Sequence, residues 1–470
     1  MPMTPAQDRA AIAHCGEDAS NAVRQRIAAT EPLCQRTYTP SLAVLARSAG
    51  CYHTTPEGRT LADFTSGVLV ANLGHNPAGW WRRVLTSLGI DRLEAAGDYC
   101  DAVALTAYNA VTELEAQATE RLLASLRSEP GGGRMERVLW SASGSEAVQK
   151  SLWAALARRD GADMIVATRG GFHGKKGLAG ATSGSESDPE RDPRVRFIGF
   201  PRDECRSVQR RRQPIDLAPY RRELDDLAGQ YGARLGGLIT EPYLGGGGSY
   251  HPQKEYLQLL EQFCRQHDIL FILDEVQANF GRTGPMYAFT AYGVEPDIVV
   301  LGKGMANGVP VDAAVGRADV FATLNYGEGS DTWSAHPLGC AAVLATLDEF
   351  ETRDVLGHAA KLSGVLEAGL LRLAELDGIA AVRGEGTVWG VECEDAGGLP
   401  AADVANRVVQ ACYLGDASGR AIHLLGPLAG KVIRVAPPLV MPLAEAETYL
   451  DAMHGIVAGL FVQAITQGSR

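Results

Sequence analysis

The 470-residue sequence predicts an α/β protein: a large domain on a mostly parallel sheet with helices on both faces, plus a smaller α+β unit. Three observations predict it. From Val138 onward, short apolar runs alternate with helical stretches, the pattern of strands joined by crossover helices. Beyond about Leu338 this alternation stops, and a long amphipathic helical region leads into separate strand-like pieces. Short strands also precede the large domain, and these are expected to join the small unit from the other chain end. The organisation expected is therefore an N-terminal segment (1–75) contributing to the small domain, a large domain (76–338) and a C-terminal small domain (339–470).

Taken in order, the first forty residues read as polar and helical, ending in a loop near Thr37 to Pro40. Cys51-Tyr52-His53 and Thr60 to Phe64 read as short strands around a turn at Thr55-Pro56-Glu57-Gly58. Val111 to Leu126 carries apolar residues at helical spacing. The strands of the large domain are expected at Val138–Trp140, Met164–Ala167, Val195–Ile198, Gly237–Thr240, Phe271–Leu273 and Ile298–Leu301. The helical region runs from Cys340 to Leu376 and leads into Val382-Arg383-Gly384, and strand-like pieces follow at Val388–Glu392 and Val432–Val435.

Composition bounds the function. The net charge of −12 argues against nucleic acid as a partner. No apolar run is long enough to span a bilayer, so no membrane partner is expected. The N-terminus lacks a basic start followed by an apolar segment, so no signal peptide is expected. Nine scattered cysteines without a CxxC pair argue against a disulfide framework or a structural zinc, and point to the cytoplasm. No metal is expected.

Two strand ends carry the chemistry. Phe271-Ile272-Leu273 ends in Asp274, and Ile298 to Leu301 ends in Gly302-Lys303-Gly304. In a parallel sheet both side chains emerge at the carboxyl edge, where α/β proteins bind ligands. Lysine is scarce here, and Lys303 alone directly follows an apolar strand between two glycines. An acid and an amine converging on one crevice suit pyridoxal 5′-phosphate. The amine condenses with the cofactor's aldehyde, and the acid keeps the pyridine nitrogen protonated.

Other motifs sit around this pair. Trp140-Ser141-Ala142-Ser143-Gly144-Ser145-Glu146-Ala147 follows a strand and opens a helix, whose free N–H groups could hold a phosphate. Alone it fits an ordinary N-cap by Ser143 or Ser145. Phe172 and His173, flanked by glycines after the Met164–Ala167 strand, could stack on a planar ring. Glu241-Pro242 runs into Gly245 to Gly248, read as a flexible active-site loop because it does not fit GxGxxG opening a helix. That missing fingerprint argues against the alternative of a nucleotide-binding oxidoreductase.

With these residues assembled, the chain resembles the class III (ω-type) pyridoxal-phosphate aminotransferases from about Gly50 to Leu443. The resemblance rests on Asp274-Glu275-Val276-Gln277, the turn Gly281-Arg282-Thr283-Gly284, and Lys303 about thirty residues after the acid. It implies a fold type I homodimer with a seven-stranded sheet and sites at the subunit interface. Lys303 matches the Schiff-base lysine and Asp274 the partner of the pyridine nitrogen. Val276 would pack on the ring face opposite Phe172, and Gln277 would reach the ring hydroxyl. Gly144 and Ser145 match the phosphate-binding pair, and Thr332 a threonine reaching the neighbouring subunit's cofactor. Glu241 matches a supporting acid, and Ser66 with Gly67 and Val68 a substrate-pocket loop. Arg434 matches an arginine that grips a substrate carboxylate bidentately.

Two departures matter. Some relatives keep a glutamate that neutralises this arginine; here the position is Gly246, so Arg434 is expected to be free for an amino-acid donor. Leu244 stands where relatives often have a polar residue. The expected reaction is transfer of an amino group from an amino acid to an aldehyde or ketone, with Lys303 carrying the proton. The acidic net charge suggests a cationic acceptor such as a diamine or an aminosugar aldehyde. An epimerase, racemase or aminomutase using the same lysine is the alternative.

Overall fold

A computed structural model describes residues 12–91, 95–96, 98–188 and 191–467. The start of the polar N-terminal stretch, residues 1–11, lies outside the described residues; the helix there is Asp18–Thr30. Seven strands form the large sheet: β1 Arg137–Ser141, β2 Met164–Thr168, β3 Val195–Ile198, β4 Leu235–Thr240, β5 Leu270–Asp274, β6 Ile298–Leu301 and β7 Asp312–Gly316. Their order is β1-β7-β6-β5-β4-β2-β3. β6, β5, β4, β2 and β3 pair in parallel, while β7 runs antiparallel to both β6 and β1. Every residue of β2, β4, β5 and β6 is buried, which is why these strands read as unbroken apolar runs.

The reversal of β7 decides what reaches the carboxyl edge of the sheet. Its register pairs Asp312 with Ser141 and Ala313 with Leu301, so its first residue lies at the edge where β1, β5 and β6 end. Four chain segments therefore deliver side chains to one rim: Ser141 onward, Asp274, Lys303 and Asp312.

Two smaller sheets flank this one. Arg47–Ala49, Tyr52–Thr54 and Thr60–Asp63 form an antiparallel meander, and Ala421–His423 from the far end of the chain adds to it in parallel. Ile379–Glu385, Val388–Cys393 and Val432–Val435 form a second antiparallel sheet.

The long helical region divides in two, Pro337–Thr352 and Val355–Leu371. Asp354 starts the second helix by accepting from the Gly357 N–H at 3.1 Å. The first helix is not amphipathic. Cys340 to Leu347 are all buried, because its small residues allow close packing on both Ala78–Leu88 and Glu113–Arg127.

Candidate active site

At the rim of the large sheet lies a cavity of about 340 Å³, lined among others by Gly144, Phe172, Asp274, Gln277, Lys303 and Asp312. Ser145, His173 and Val276 also line it. The predicted lysine, acid, phosphate and ring residues thus share one space, and Glu241 joins them through hydrogen bonds.

Asp274 is buried at the end of β5. Its Oδ1 accepts from the Val276 N–H at 3.1 Å, and its Oδ2 pairs with His173 Nδ1 at 2.8 Å. Those two contacts hold the carboxylate in one orientation. His173 is itself buried, and among the described residues its Nε2 has no hydrogen-bond partner. Lys303 follows Gly302 in a left-handed conformation (φ 49°) that aims the side chain back into the cavity rather than continuing the strand. Glycine is required at 302, since a Cβ there would collide with the Asp312 carboxylate. Burial pushes the Lys303 amine below its ordinary value of 10.5, while the carboxylates of Asp274 and Asp312 pull it back up.

The helix α1, Gly144–Ala157, presents its N-terminus to the cavity. Ser143 caps it by accepting from the Glu146 N–H at 3.4 Å. The ordinary cap and a free helix N-terminus coexist, because the cap satisfies one donor and leaves others open. A Cβ at Gly144 would press on Val276 Cγ1 at 3.2 Å.

Glu241 accepts from the backbone N–H groups of Phe172 at 2.9 Å and Gly245 at 3.1 Å. It thereby ties the Phe172 turn to the glycine loop. Burial pushes its carboxyl up to about 7, with His173 opposing and Asp274 adding to the rise. Gln277 spans the next gap: its Nε2 faces Glu241 at 3.4 Å and its Oε1 accepts from Arg434 Nη1 at 2.8 Å. Arg434 is 3% exposed, and among the described residues it makes no ion pair and no other hydrogen bond. Burial pushes its guanidinium below the ordinary range.

The loop Gly245 to Gly248 is packed rather than loose. A Cβ at Gly245 would meet Gln277 Oε1 at 2.6 Å, one at Gly246 Phe172 Cβ at 3.0 Å, and one at Gly247 the Gly170 carbonyl at 2.6 Å. Its glycines permit close approach instead of mobility. Leu244 is wholly buried and belongs to the core.

Three predicted residues lie elsewhere. Ser66 is fully buried; its hydroxyl donates to the Ala436 carbonyl at 2.8 Å and accepts from Arg282 Nη2 at 3.1 Å. It is thus engaged in holding the backbone and has no face toward substrate. Val68 is exposed and does not line the cavity; Val70, two residues on, does. Ser66 to Leu69 all have positive φ (49° to 71°), a strained run kept in place by the Ser66 contacts. Thr332 is exposed and does not line this cavity. One charged lining residue has no counterpart among the sequence expectations: Asp312, whose carboxyl burial pushes up to about 7.

A parallel sheet that brings a strand-end acid, a strand-end lysine and a helix N-terminus to one cavity defines a fold type I pyridoxal-phosphate enzyme. Residues 33–457 match the family model for class-III aminotransferases, and the chain belongs to that family. It is 30% identical over 437 residues to the omega-aminotransferase of Caulobacter vibrioides, covering 88% of this chain and 93% of that protein. It is 28% identical over 428 residues to the acetylornithine aminotransferase of Methanothermobacter thermautotrophicus, covering 90% and 96%. An amine transaminase structure from an uncultivated Pseudomonas species, in the PLP-bound form, superimposes with a TM-score of 0.74 at 26% identity, covering 91% and 97%. The enzyme is a pyridoxal-phosphate-dependent transaminase.

The residues present fit that cofactor. The cavity offers an amine with a depressed pKa, an oriented carboxylate, a helix N-terminus, and a glycine at the point where a side chain would fill the cradle. Among the described residues no helix is long and apolar enough to cross a membrane.

Proposed function

We propose that this transaminase takes its amino group from an amino acid and delivers it to an aldehyde or ketone, working as a cytoplasmic homodimer. The carrying observation is Arg434, a buried guanidinium with one neutral acceptor and no ion pair among the described residues. A substrate carboxylate supplies what that group lacks. The cavity on the outer side of Phe172, about 650 Å³, supports an acid over a cationic partner: Lys175, Arg191 and Arg202 line it against the single carboxylate of Asp188.

When bound, pyridoxal phosphate supplies an aldehyde for amine capture and a ring that withdraws electrons from the substrate carbon. Lys303 Nζ would be the amine that holds the cofactor and, once free, the base and acid that moves the proton at the donor carbon. Asp274, oriented by His173 and the Val276 N–H, would keep the ring nitrogen protonated. Phe172 and Val276 would hold the ring, and Gly144 with Ser145 would bind the phosphate through backbone N–H groups. Gln277 connects Glu241 to Arg434 by hydrogen bonds and would relate the substrate arginine to the cofactor site.

Thr332 acts in this reading on the partner subunit's site. An exposed apolar surface supports the dimer: Tyr108, Tyr326 and Trp333 lie in the open, and Tyr108 and Ser330 bring the two segments together. All nine cysteines are free, in keeping with a reducing cytoplasm.

The test is single-turnover incubation of the loaded enzyme with a donor panel, followed by mass spectrometry. Stoichiometric release of the oxo acid from amino acids is expected, and Lys303→Ala should release none. Turnover confined to simple amines without a carboxylate would sink the reading.

A further inference from the structure

We propose that Asp312 couples cofactor loading to proton uptake: it lies beneath the phosphate-binding end of the site and must be a neutral carboxylic acid for the phosphate to bind at full strength. The proposal rests on the reading that Gly144 and Ser145 receive the phosphate.

The placement comes from topology. β7 is the one reversed strand of the large sheet, so its first residue emerges at the rim between the end of β1 and the end of β6. The Asp312 carboxylate lies against Gly302 on one side, and its Oδ1 would be 3.4 Å from a Cβ at Gly144 on the other. It therefore sits between the lysine turn and the start of α1, and it lines the cavity.

Its environment is unusual for a structural carboxylate. Asp312 is 7% exposed, and among the described residues its side chain makes no hydrogen bond or ion pair. A buried carboxylate normally has donors, because desolvating the charge without them is costly. Asp63 shows the ordinary arrangement: it too is buried, and it accepts from the Thr65 N–H and hydroxyl and pairs with His75. The Ser141 hydroxyl on the strand paired with Asp312 is also buried and, among the described residues, without a hydrogen-bond partner.

The charged groups facing Asp312 are Lys303 after β6, Asp274 at the end of β5, and Glu146 on α1. Only Lys303 is cationic, and capture of the cofactor engages that amine. Meanwhile the phosphate adds negative charge beside a carboxyl that burial already holds near 7. Like charges at this range disfavour joint ionisation, so the phosphate raises the carboxyl further and a proton enters with the cofactor. The sign follows: above about pH 7 the free enzyme must first protonate Asp312, so the Asp312 contribution to cofactor affinity falls as pH rises, opposite to the contribution of the Lys303 amine.

The experiment titrates cofactor-stripped enzyme with pyridoxal phosphate between about pH 6 and 9, for wild type and Asp312→Asn, read by cofactor absorbance. The ratio of wild-type to Asn dissociation constants cancels titration of the phosphate and leaves, of Lys303's titration, only the part that Asp312 shifts, which capture of pyridoxal carries as well. That ratio should rise above about pH 7 by up to about tenfold per pH unit. A ratio flat across the range overturns the proposal. Pyridoxal, which lacks the phosphate, should show no such rise; an equal rise with pyridoxal also overturns it. Gly144→Val, in the same titration, separates the two layers. Unchanged affinity there sinks the phosphate-site reading itself, whereas lost affinity with a flat ratio sinks only the role of Asp312. Should Asp312→Asn fail to fold, wild type alone suffices. At about pH 8, calorimetry in two buffers of different ionisation enthalpy should show more proton uptake for pyridoxal phosphate than for pyridoxal, and equal uptake overturns the idea.

Discussion

Arg282 and Arg434 are both inside the protein, and among the described residues neither is paired with a carboxylate. Arg282 Nη1 donates to the Pro437 carbonyl at 2.7 Å and to the Thr387 carbonyl and hydroxyl, at 3.2 and 3.1 Å. Its Nη2 donates to Asn72 Oδ1 at 2.5 Å and Ser66 Oγ at 3.1 Å. Arg434 has one acceptor, Gln277 Oε1. Burial lowers both guanidinium pKa values, Arg282 to about 10, and the Tyr243 hydroxyl opposes the shift in each. The same residue type under the same desolvation thus ends in two conditions. Both terminal nitrogens of Arg282 are engaged by neutral oxygens from distant chain segments, with its Nε alone left without a partner among the described residues, and the side chain fastens the strained Ser66 turn to the C-terminal part of the fold. Arg434 has donors left over at the edge of the site. A buried cation with its acceptors in place is scaffold; one without them is waiting for a ligand.

The largest expected effect breaks the comparison on the Arg434 side. Arg434→Gln should lower kcat/KM for amino-acid donors by about 100-fold or more, the scale of about 2–5 kcal/mol for removing one partner of a buried charge pair. Melting temperature should hold, because the fold makes little use of this side chain. The control is an amine of matched size without a carboxylate, whose kcat/KM should change far less. An equal loss for both donors would show that Arg434 supports the site's shape and does not read the carboxylate.

Arg282→Met should do the reverse. Every oxygen around Arg282 loses its donor, and stability should fall by about 3 kcal/mol or more. Thermal unfolding of the loaded enzyme should shift down by several degrees. The molecules that remain folded should keep the wild-type preference for carboxylate-bearing donors. A changed preference with unchanged stability would erase the distinction between the two arginines.

How far the sequence shows all this depends on the range of the interaction. Asp274 and Lys303 are legible because wholly buried parallel strands are continuous apolar runs, so a polar residue at the end of one marks the rim. Ser143 capping α1 is legible for the same local reason. Asp312 is not: Val311 before it and Ala313 after it look like any strand, and nothing local says that this strand runs backward. The motif around Ser66 predicts a substrate contact. Its hydroxyl is instead held by Ala436 and Arg282, residues far away in sequence. The resemblance carries the motif's position but not the direction of that side chain.

The smallest effect sharpens the comparison electrostatically. Covalent capture of the cofactor needs the neutral Lys303 amine, so the fraction captured should rise with pH. Borohydride reduction followed by mass measurement reads that fraction. The midpoint should lie below 10.5, because burial disfavours the ammonium form and Arg434 adds repulsion, while Asp274, Asp312 and Glu241 oppose. Arg434→Gln removes a neighbouring positive charge and should move the midpoint up. Arg282→Met should move it far less, since Arg434 and not Arg282 is among the leading influences on the lysine. The two arginines are then separated by a readout independent of both turnover and folding. If the substitutions shift the midpoint equally, the charge of Arg434 does not reach the lysine, and its placement at the site rests on the Gln277 contact alone.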